Sequence, residues 1–176
     1  MRGKTIYIKL ATLDDAEFIL SLRNNSQLNK HLSRTSADIS SQKQWLSDYK
    51  KREDAKKEYY FIINRLDGVP IGTVRLYDFL NERNSFCWGS WILNSDKTRT
   101  SAIESALLVY EFAFKHLDFE NCHFDVRKDN KSVIRFHEKF GAKIVSESEF
   151  DYYFEYSKPC YNTFFNENKK FIEYQS

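Results

Sequence analysis

The stretch 122–142 constrains the fold most, because the hydrophobic period changes there within one short span. Cys122-His-Phe-Asp-Val126 alternates apolar and polar side chains, the pattern of a strand with one buried face. Asn130-Lys-Ser-Val-Ile-Arg-Phe-His-Glu-Lys-Phe-Gly141 follows after a short polar loop, with Val133, Ile134, His137 and Phe140 at helical spacing. Asn130 is a favoured N-cap, so its side chain is expected to accept a bond from an orphan helix N–H. Gly141 suits the left-handed turn that closes a helix. A titratable residue, His137, thereby falls on the apolar face, which makes it the first candidate for chemistry.

The rest of the chain supplies a sheet for this unit to join. Residues 5–10 alternate through Ile6, Ile8 and Leu10 and read as a strand. Thr12 then heads Leu-Asp-Asp, a polar cap with acidic residues at the positive end of a helix dipole; Ala16, Ile19 and Leu20 continue that helix. Residues 26–40 are polar and irregular, and a second helix is expected over 41–51 on Trp45, Leu46 and Tyr49. Runs at 59–63, 71–77 and 86–93, separated by Asp67-Gly68-Val-Pro70 and Asn81-Glu-Arg-Asn84, form an antiparallel set. After a polar break at 94–100, Ile103, Ala106, Leu107, Tyr110, Ala113, Phe114 and Leu117 recur at steps of three and four, giving the strongest helix signal in the chain. Beyond Gly141, aromatic strands are expected over 144–156 and 161–165. The order βααβββαβαββ predicts an α/β (α+β) fold. One domain would span 1–176, with a mixed central sheet of about six to seven strands and helices on both faces.

Composition removes several function classes. Lys+Arg (27) and Asp+Glu (25) interleave to a net charge of +2, so no broad basic footprint for nucleic acid exists. Lys50-Lys51-Arg52 is answered by Glu53-Asp54, as on a solvated helix end. Cys87, Cys122 and Cys160 are widely spaced with no CxxC, suggesting neither a disulfide framework nor a metal site, and pointing to reduced thiols in the cytoplasm. The N-terminus has no apolar leader, and no run reaches the length of a membrane span, so no membrane insertion is expected. Aromatic residues thicken after residue 150; they either complete the core or form a seam between two copies, and a homodimer is the expectation.

A strand, a polar loop, a long helix, a strand and then an Asn-capped helix ending in Phe-Gly-Ala resemble the GNAT superfamily of acetyl-CoA-dependent N-acyltransferases. Against that family's Asn-x-x-(Ala/Ser)-x-x-x-Tyr-x-x-x-Gly pattern, Asn130 and Gly141 match, Val133 stands at the Ala position and His137 at the Tyr position. The family's (Gln/Arg)-x-x-Gly-x-(Gly/Ala) signature aligns with Lys97-Thr-Arg-Thr-Ser-Ala102, with Thr100 in place of glycine.

The resemblance implies a splayed notch that takes acetyl-CoA. Trp91, Ile92 and Leu93 would run alongside the pantetheine arm. Lys97, Thr98, Arg99, Thr100, Ser101 and Ala102 would hold the pyrophosphate at a helix N-terminus, with Asn130 and Ser132 completing the cofactor site. Hydroxyls of Thr98, Thr100 and Ser101 are expected to bond phosphate oxygens in place of the missing glycine. His137 would serve the departing thiolate, either as a neutral N–H donor or as imidazolium. Asp78 and Trp88 are the candidate acceptor-binding residues, with Asp125 a further carboxylate for amine recognition. Cys87 stands where many relatives carry a Glu; it is either a buried structural thiol or a nucleophile. Trp88 and Trp91 would alternate onto opposite faces of their strand. His31, His116 and His123 have weaker cases.

The activity implied is acetyl transfer from acetyl-CoA to a small-molecule primary amine. The central Cys-Trp-Gly-Ser-Trp-Ile strand resembles branches acting on nucleotide-linked amino sugars. Ribosomal-protein N-terminal acetylation and a non-catalytic acyl-CoA-binding module are the alternatives.

Overall fold

The computed structural model describes residues 1–25, 27–28 and 38–172; His31 and most of the irregular stretch expected at 26–40 lie outside these. Seven strands form one mixed sheet in the order β1-β2-β3-β4-β5-β7-β6. They are β1 (Ile6–Leu10), β2 (Tyr59–Arg65), β3 (Pro70–Leu80), β4 (Ser85–Leu93), β5 (Asn121–Arg127), β6 (Lys143–Glu147) and β7 (Asp151–Ser157). The helices are α1 (Ala16–Asn24), α2 (Ile39–Asp54), α3 (Ser101–Glu111), α4 (Lys131–Lys139) and α5 (Lys158–Asn168).

The buried strand β2 shows how the layers are set. Its side chains from Tyr59 to Asn64 are all buried, so the simple inside–outside alternation is lost. Tyr60 and Ile62 pack with Leu46, Tyr49, Ala16 and Ile19 beneath α1 and α2. Tyr59, Phe61 and Ile63 face the larger cluster that takes in Leu107, Tyr110 and Phe114 of the long helix. That helix is α3 continued by a π-helical turn over Phe112–His116, which accounts for a hydrophobic period running on to Leu117.

The expected strand at 161–165 is instead part of α5. Ser157 stands at the N-cap with Pro159 in the first turn, where its missing N–H costs nothing. Tyr161 and Phe164, three apart, are both buried, Phe164 against Phe140 at 4.2 Å between ring centroids and Tyr161 against Phe114 at 5.4 Å. Four of the late aromatics (Phe154, Tyr156, Tyr161, Phe164) thus complete the core, and Tyr152, Phe165 and Phe171 pack against it. Tyr153 and Phe150 remain exposed beside the edge strand β6, whose five residues are all exposed.

Two irregularities open the sheet at its centre. The parallel pairing of β4 with β5 covers Ser85–Cys87 against Asn121–His123 and then stops, so the strands part beyond Cys87. On its other side β4 pairs with β3 through Thr73↔Ile92 and then Arg75↔Gly89, so Ser90 and Trp91 of β4 stand against Val74 alone on β3. The extra residue makes a β-bulge, with Ser90 at φ +49°. Backbones crowd there: a Cβ on Gly72 would stand 2.1 Å from the Ile92 carbonyl oxygen, which only glycine avoids.

Candidate active site

Where β4 and β5 part, a cavity of about 390 Å³ is lined by Trp88, Gly89, Ser90 and Trp91 from β4, Phe124 to Arg127 from β5, Asn130, Val133 and His137 from the α4 segment, and Asp151 from β7. Of the residues singled out by sequence, Trp88, Trp91, Asn130, His137 and Asp125 meet here.

The bulge decides how the tryptophans contribute. Regular alternation would send Trp88 and Trp91 to opposite faces; the additional residue at Ser90 restores them to one face, their rings 5.2 Å apart. Each indole N–H is fastened to α3: Trp88 Nε1 donates to the Tyr110 hydroxyl at 3.1 Å and Trp91 Nε1 to Ser105 Oγ at 3.1 Å. Gly89 has no side chain because the Tyr77 hydroxyl occupies its place, 2.7 Å from where a Cβ would lie.

His137 is 5 % exposed and boxed by rings, with Phe124 at 4.3 Å, Trp88 at 5.4 Å, Phe154 at 6.1 Å and Trp91 at 6.3 Å between centroids. Among the described residues no hydrogen-bond partner reaches its ring. Burial in this apolar box pulls the imidazole down to about 3, so the ring is neutral near pH 7 and the imidazolium option falls away. A neutral ring keeps one N–H to give to an atom in the cavity.

Asn130 does occupy the N-cap of α4, but its side chain makes no bond to a helix N–H; its Oδ1 accepts instead from the exposed Ser132 hydroxyl at 3.2 Å. The orphan N–H groups therefore stay available at the cavity wall. Gly141 has φ +95°, as a left-handed closing residue requires.

The 97–102 loop departs from expectation in an instructive way. Its hydroxyls point into the protein. Glu104, fully buried, accepts at Oε1 from Thr100 Oγ1 (2.5 Å) and Thr5 Oγ1 (2.7 Å), and at Oε2 from the backbone N–H of Thr5 (2.9 Å) and Ile6 (3.3 Å). Thr98 Oγ1 bonds Ser101 Oγ at 2.8 Å and Thr5 Oγ1 at 2.6 Å. A buried charge demands such partners, so these side chains brace the loop and are not held out to an anion. Thr100 has φ −108°, a conformation open to any residue, so the absence of glycine brings no backbone strain. The Ser101 N–H that opens α3 donates to the Thr98 carbonyl at 3.3 Å, which leaves the N–H groups of Ala102 and Ile103 for a ligand, with Lys97 and Arg99 exposed beside them.

Ile92 is buried in the core and Leu93 packs against it, so neither side chain enters the cavity. Asp78 lies elsewhere: its Oδ2 meets His123 Nε2 at 3.1 Å, and His123 Nδ1 meets Ser85 Oγ at 2.7 Å. Cys87 is 5 % exposed, and burial pushes its thiol up to about 12, a structural thiol and not a nucleophile. His116 is exposed at the end of the long helix. Among the described residues no group of His, Cys, Asp and Glu is placed to hold a metal ion, and no helix is long and apolar enough to cross a membrane. Sequence reasoning passed over Gly89, Ser90, Arg127 and Asp151; the Gly-Ser pair inside an apolar strand was the available signal for a bulge.

The profile of the acetyltransferase (GNAT) domain family matches residues 5–143. The chain belongs to this family. As a GNAT protein it is an acetyl-CoA-dependent N-acetyltransferase, and its fold is that of a single GNAT domain with a splayed central sheet. It is 27 % identical over 148 residues to the probable N-acetyltransferase YjcK of Bacillus subtilis (strain 168), covering 80 % of this chain and 82 % of that one. Among solved structures, apo FdhC, described as a nucleotide-linked sugar GNAT, is 48 % identical, with 98 % of each chain covered and a TM-score of 0.92. The spermidine N-acetyltransferase of Vibrio cholerae in complex with CoA and spermine shares the fold at 14 % identity, covering 89 % of this chain and 98 % of that one, with a TM-score of 0.77.

Proposed function

We propose that the protein acetylates the primary amine of a nucleotide-linked amino sugar by direct attack on acetyl-CoA. The observation that carries the acceptor class is the 48 % identity, over 98 % of both chains, to a nucleotide-linked sugar GNAT. The described residues fit the donor. Beyond Cys87 one edge of β4 has no partner strand, and an extended pantetheine arm can pair there as an added strand. Pyrophosphate recognition falls to the N–H groups opening α3, with Lys97 and Arg99 adding charge and Thr98, Thr100 and Ser101 acting through the brace behind the loop. Asn130 and Ser132 close the other wall. His137 donates its neutral N–H to the sulfur as negative charge develops there, from a water-poor box where such a bond is strong. Trp88 and Trp91 shape the floor on which the acyl group lies.

The two buried cysteines and one partly exposed one are all unpaired, which suits a cytoplasmic enzyme working where acetyl-CoA is made. The exposed Ile144 and Val145 of the edge strand, with Phe150 and Tyr153 beside them, support a homodimer joined along that edge.

Calorimetric titration with acetyl-CoA, followed by thiol release over a panel of amines including UDP-glucosamine, tests the reading. Acetyl-CoA binding and preferential turnover of the nucleotide sugar are expected. Preference for a peptide N-terminus would replace the acceptor assignment, and binding without turnover would leave a sensor. His137→Ala is expected to lower turnover far more than it weakens acetyl-CoA binding; an unchanged rate removes His137 from the mechanism.

A further inference from the structure

Resting on the acetyl-transfer reading, we propose that Asp125 is the group that removes the proton from the incoming ammonium, with Asp151 beside it to hold that cation. An amine at neutral pH is largely ammonium, and its lone pair is unavailable until a proton leaves. Cys87, where β4 parts from β5, is a buried thiol whose Sγ donates to the Trp88 carbonyl at 3.8 Å and cannot serve as that base. Asp78 is engaged by His123 and does not line the cavity. Asp125 and Asp151 are the carboxylates that do, among the described residues.

The register fixes their direction. Asp125 pairs with Tyr153 and Arg127 with Asp151, so Asp125, Arg127 and Asp151 project from one face of the sheet. Phe124, the neighbour of Asp125, projects from the other face and packs against His137 at 4.3 Å. The notch therefore carries a carboxylate on the acceptor side and an unpartnered, 5 % exposed imidazole on the opposite side. Asp151 is tied to Arg127, Nε to Oδ1 at 3.5 Å, whereas among the described residues no ion pair reaches Asp125. Asp125 keeps its side chain exposed at the notch, and the desolvation of its inner part first, with the charge of Asp151 second, raises it above the usual carboxylate value, against the opposing pull of its own backbone N–H and of Arg127. A raised carboxylate is better matched to an ammonium proton than an ordinary one. Tyr77, Cys87 and Tyr153 are the other titratable groups around it.

One ammonium proton passes to the Asp125 carboxylate, and the freed lone pair forms the N–C bond at the thioester carbonyl. The C–S bond breaks with its electron pair on sulfur. The second nitrogen proton goes to that sulfur, which is held meanwhile by the His137 N–H, and Asp125 returns its proton to water. One proton is released per amide formed.

The test uses the full chain, acetyl-CoA and whichever of UDP-glucosamine, glucosamine, spermidine or an alanyl peptide turns over fastest. Asp125→Asn is expected to lower kcat/KM by about 100-fold near pH 7. Its acetyl-CoA affinity should match wild type. As pH rises past the pKa of the acceptor amine, the deficit should shrink below about 10-fold, because the free amine no longer needs a base. Asp151→Asn should raise KM more than it lowers kcat. A deficit constant with pH, or Asp125→Asn within threefold of wild type near pH 7, overturns the proposal while leaving the transferase reading intact. A wild type that binds acetyl-CoA yet acetylates none of the amines removes both.

Discussion

A neutral His137 makes a quantitative demand on stability. The ring is 5 % exposed among Phe124, Trp88, Trp91 and Phe154, and burial holds it at about 3 against an ordinary 6.5. The folded chain thus refuses a proton that the unfolded chain accepts over the interval between those values. Its contribution is complete above about 6.5 and is lost progressively as pH falls toward 3. Moving from about pH 7.5 to about pH 5 should cost the native state ~2 kcal/mol through this one residue, at 1.36 kcal/mol per unit. Urea denaturation of wild type and His137→Phe at both pH values isolates the effect, since carboxylates contribute equally to both proteins. Wild type should lose ~2 kcal/mol more than the variant. Parallel losses would refute the argument, as would an imidazole seen by NMR to titrate near 6.5; either result would restore imidazolium as the acid for the leaving sulfur.

Further outcomes follow from the same geometry. Thr100→Gly should leave acetyl-CoA affinity within about threefold, because its backbone needs no glycine, yet lower stability by ~1–2 kcal/mol through loss of a bond to the buried Glu104 carboxylate, as read by urea denaturation. Cys87→Ala should keep kcat within about threefold; a loss beyond about 100-fold would reinstate a thiol role. Gly72→Ala should destabilise by ~2 kcal/mol or more, since its Cβ would strike the Ile92 carbonyl, and thermal unfolding would register it. On the proposed edge-strand dimer, wild type should sediment as a dimer and Val145→Asp as a monomer, with acetyl-CoA binding unchanged in both.

The sheet and its crossover helices were readable because periods of two and of three to four dominate local stretches such as Cys122–Val126 and Ile103–Leu117. Three features were not. Tyr161 and Phe164 looked like strand residues because aromatics favour strands, yet the Ser157-Lys158-Pro159 start just ahead of them sets a helix. Trp88 and Trp91 share a face because of one extra backbone residue, a register fact visible only against β3. Asp78 and Asp125 had equal standing in the sequence; tertiary pairing ties the first to His123 and sets the second at the notch. The hydroxyls of Thr98, Thr100 and Ser101 were expected to meet phosphate oxygens, but their direction depends on Glu104 and Thr5, which hold them inward.

That carboxylate also stitches together parts of the polypeptide far apart in sequence. Gly3 bridges to Ile172, and a Cβ at Gly3 would fall 2.4 Å from Glu104 Oε2. Both ends of the described chain therefore converge beneath the 97–102 loop. Fusions or trims at the extreme N-terminus, usually treated as innocuous handling of a tail, would here be edits to the footing of the loop proposed to take the pyrophosphate.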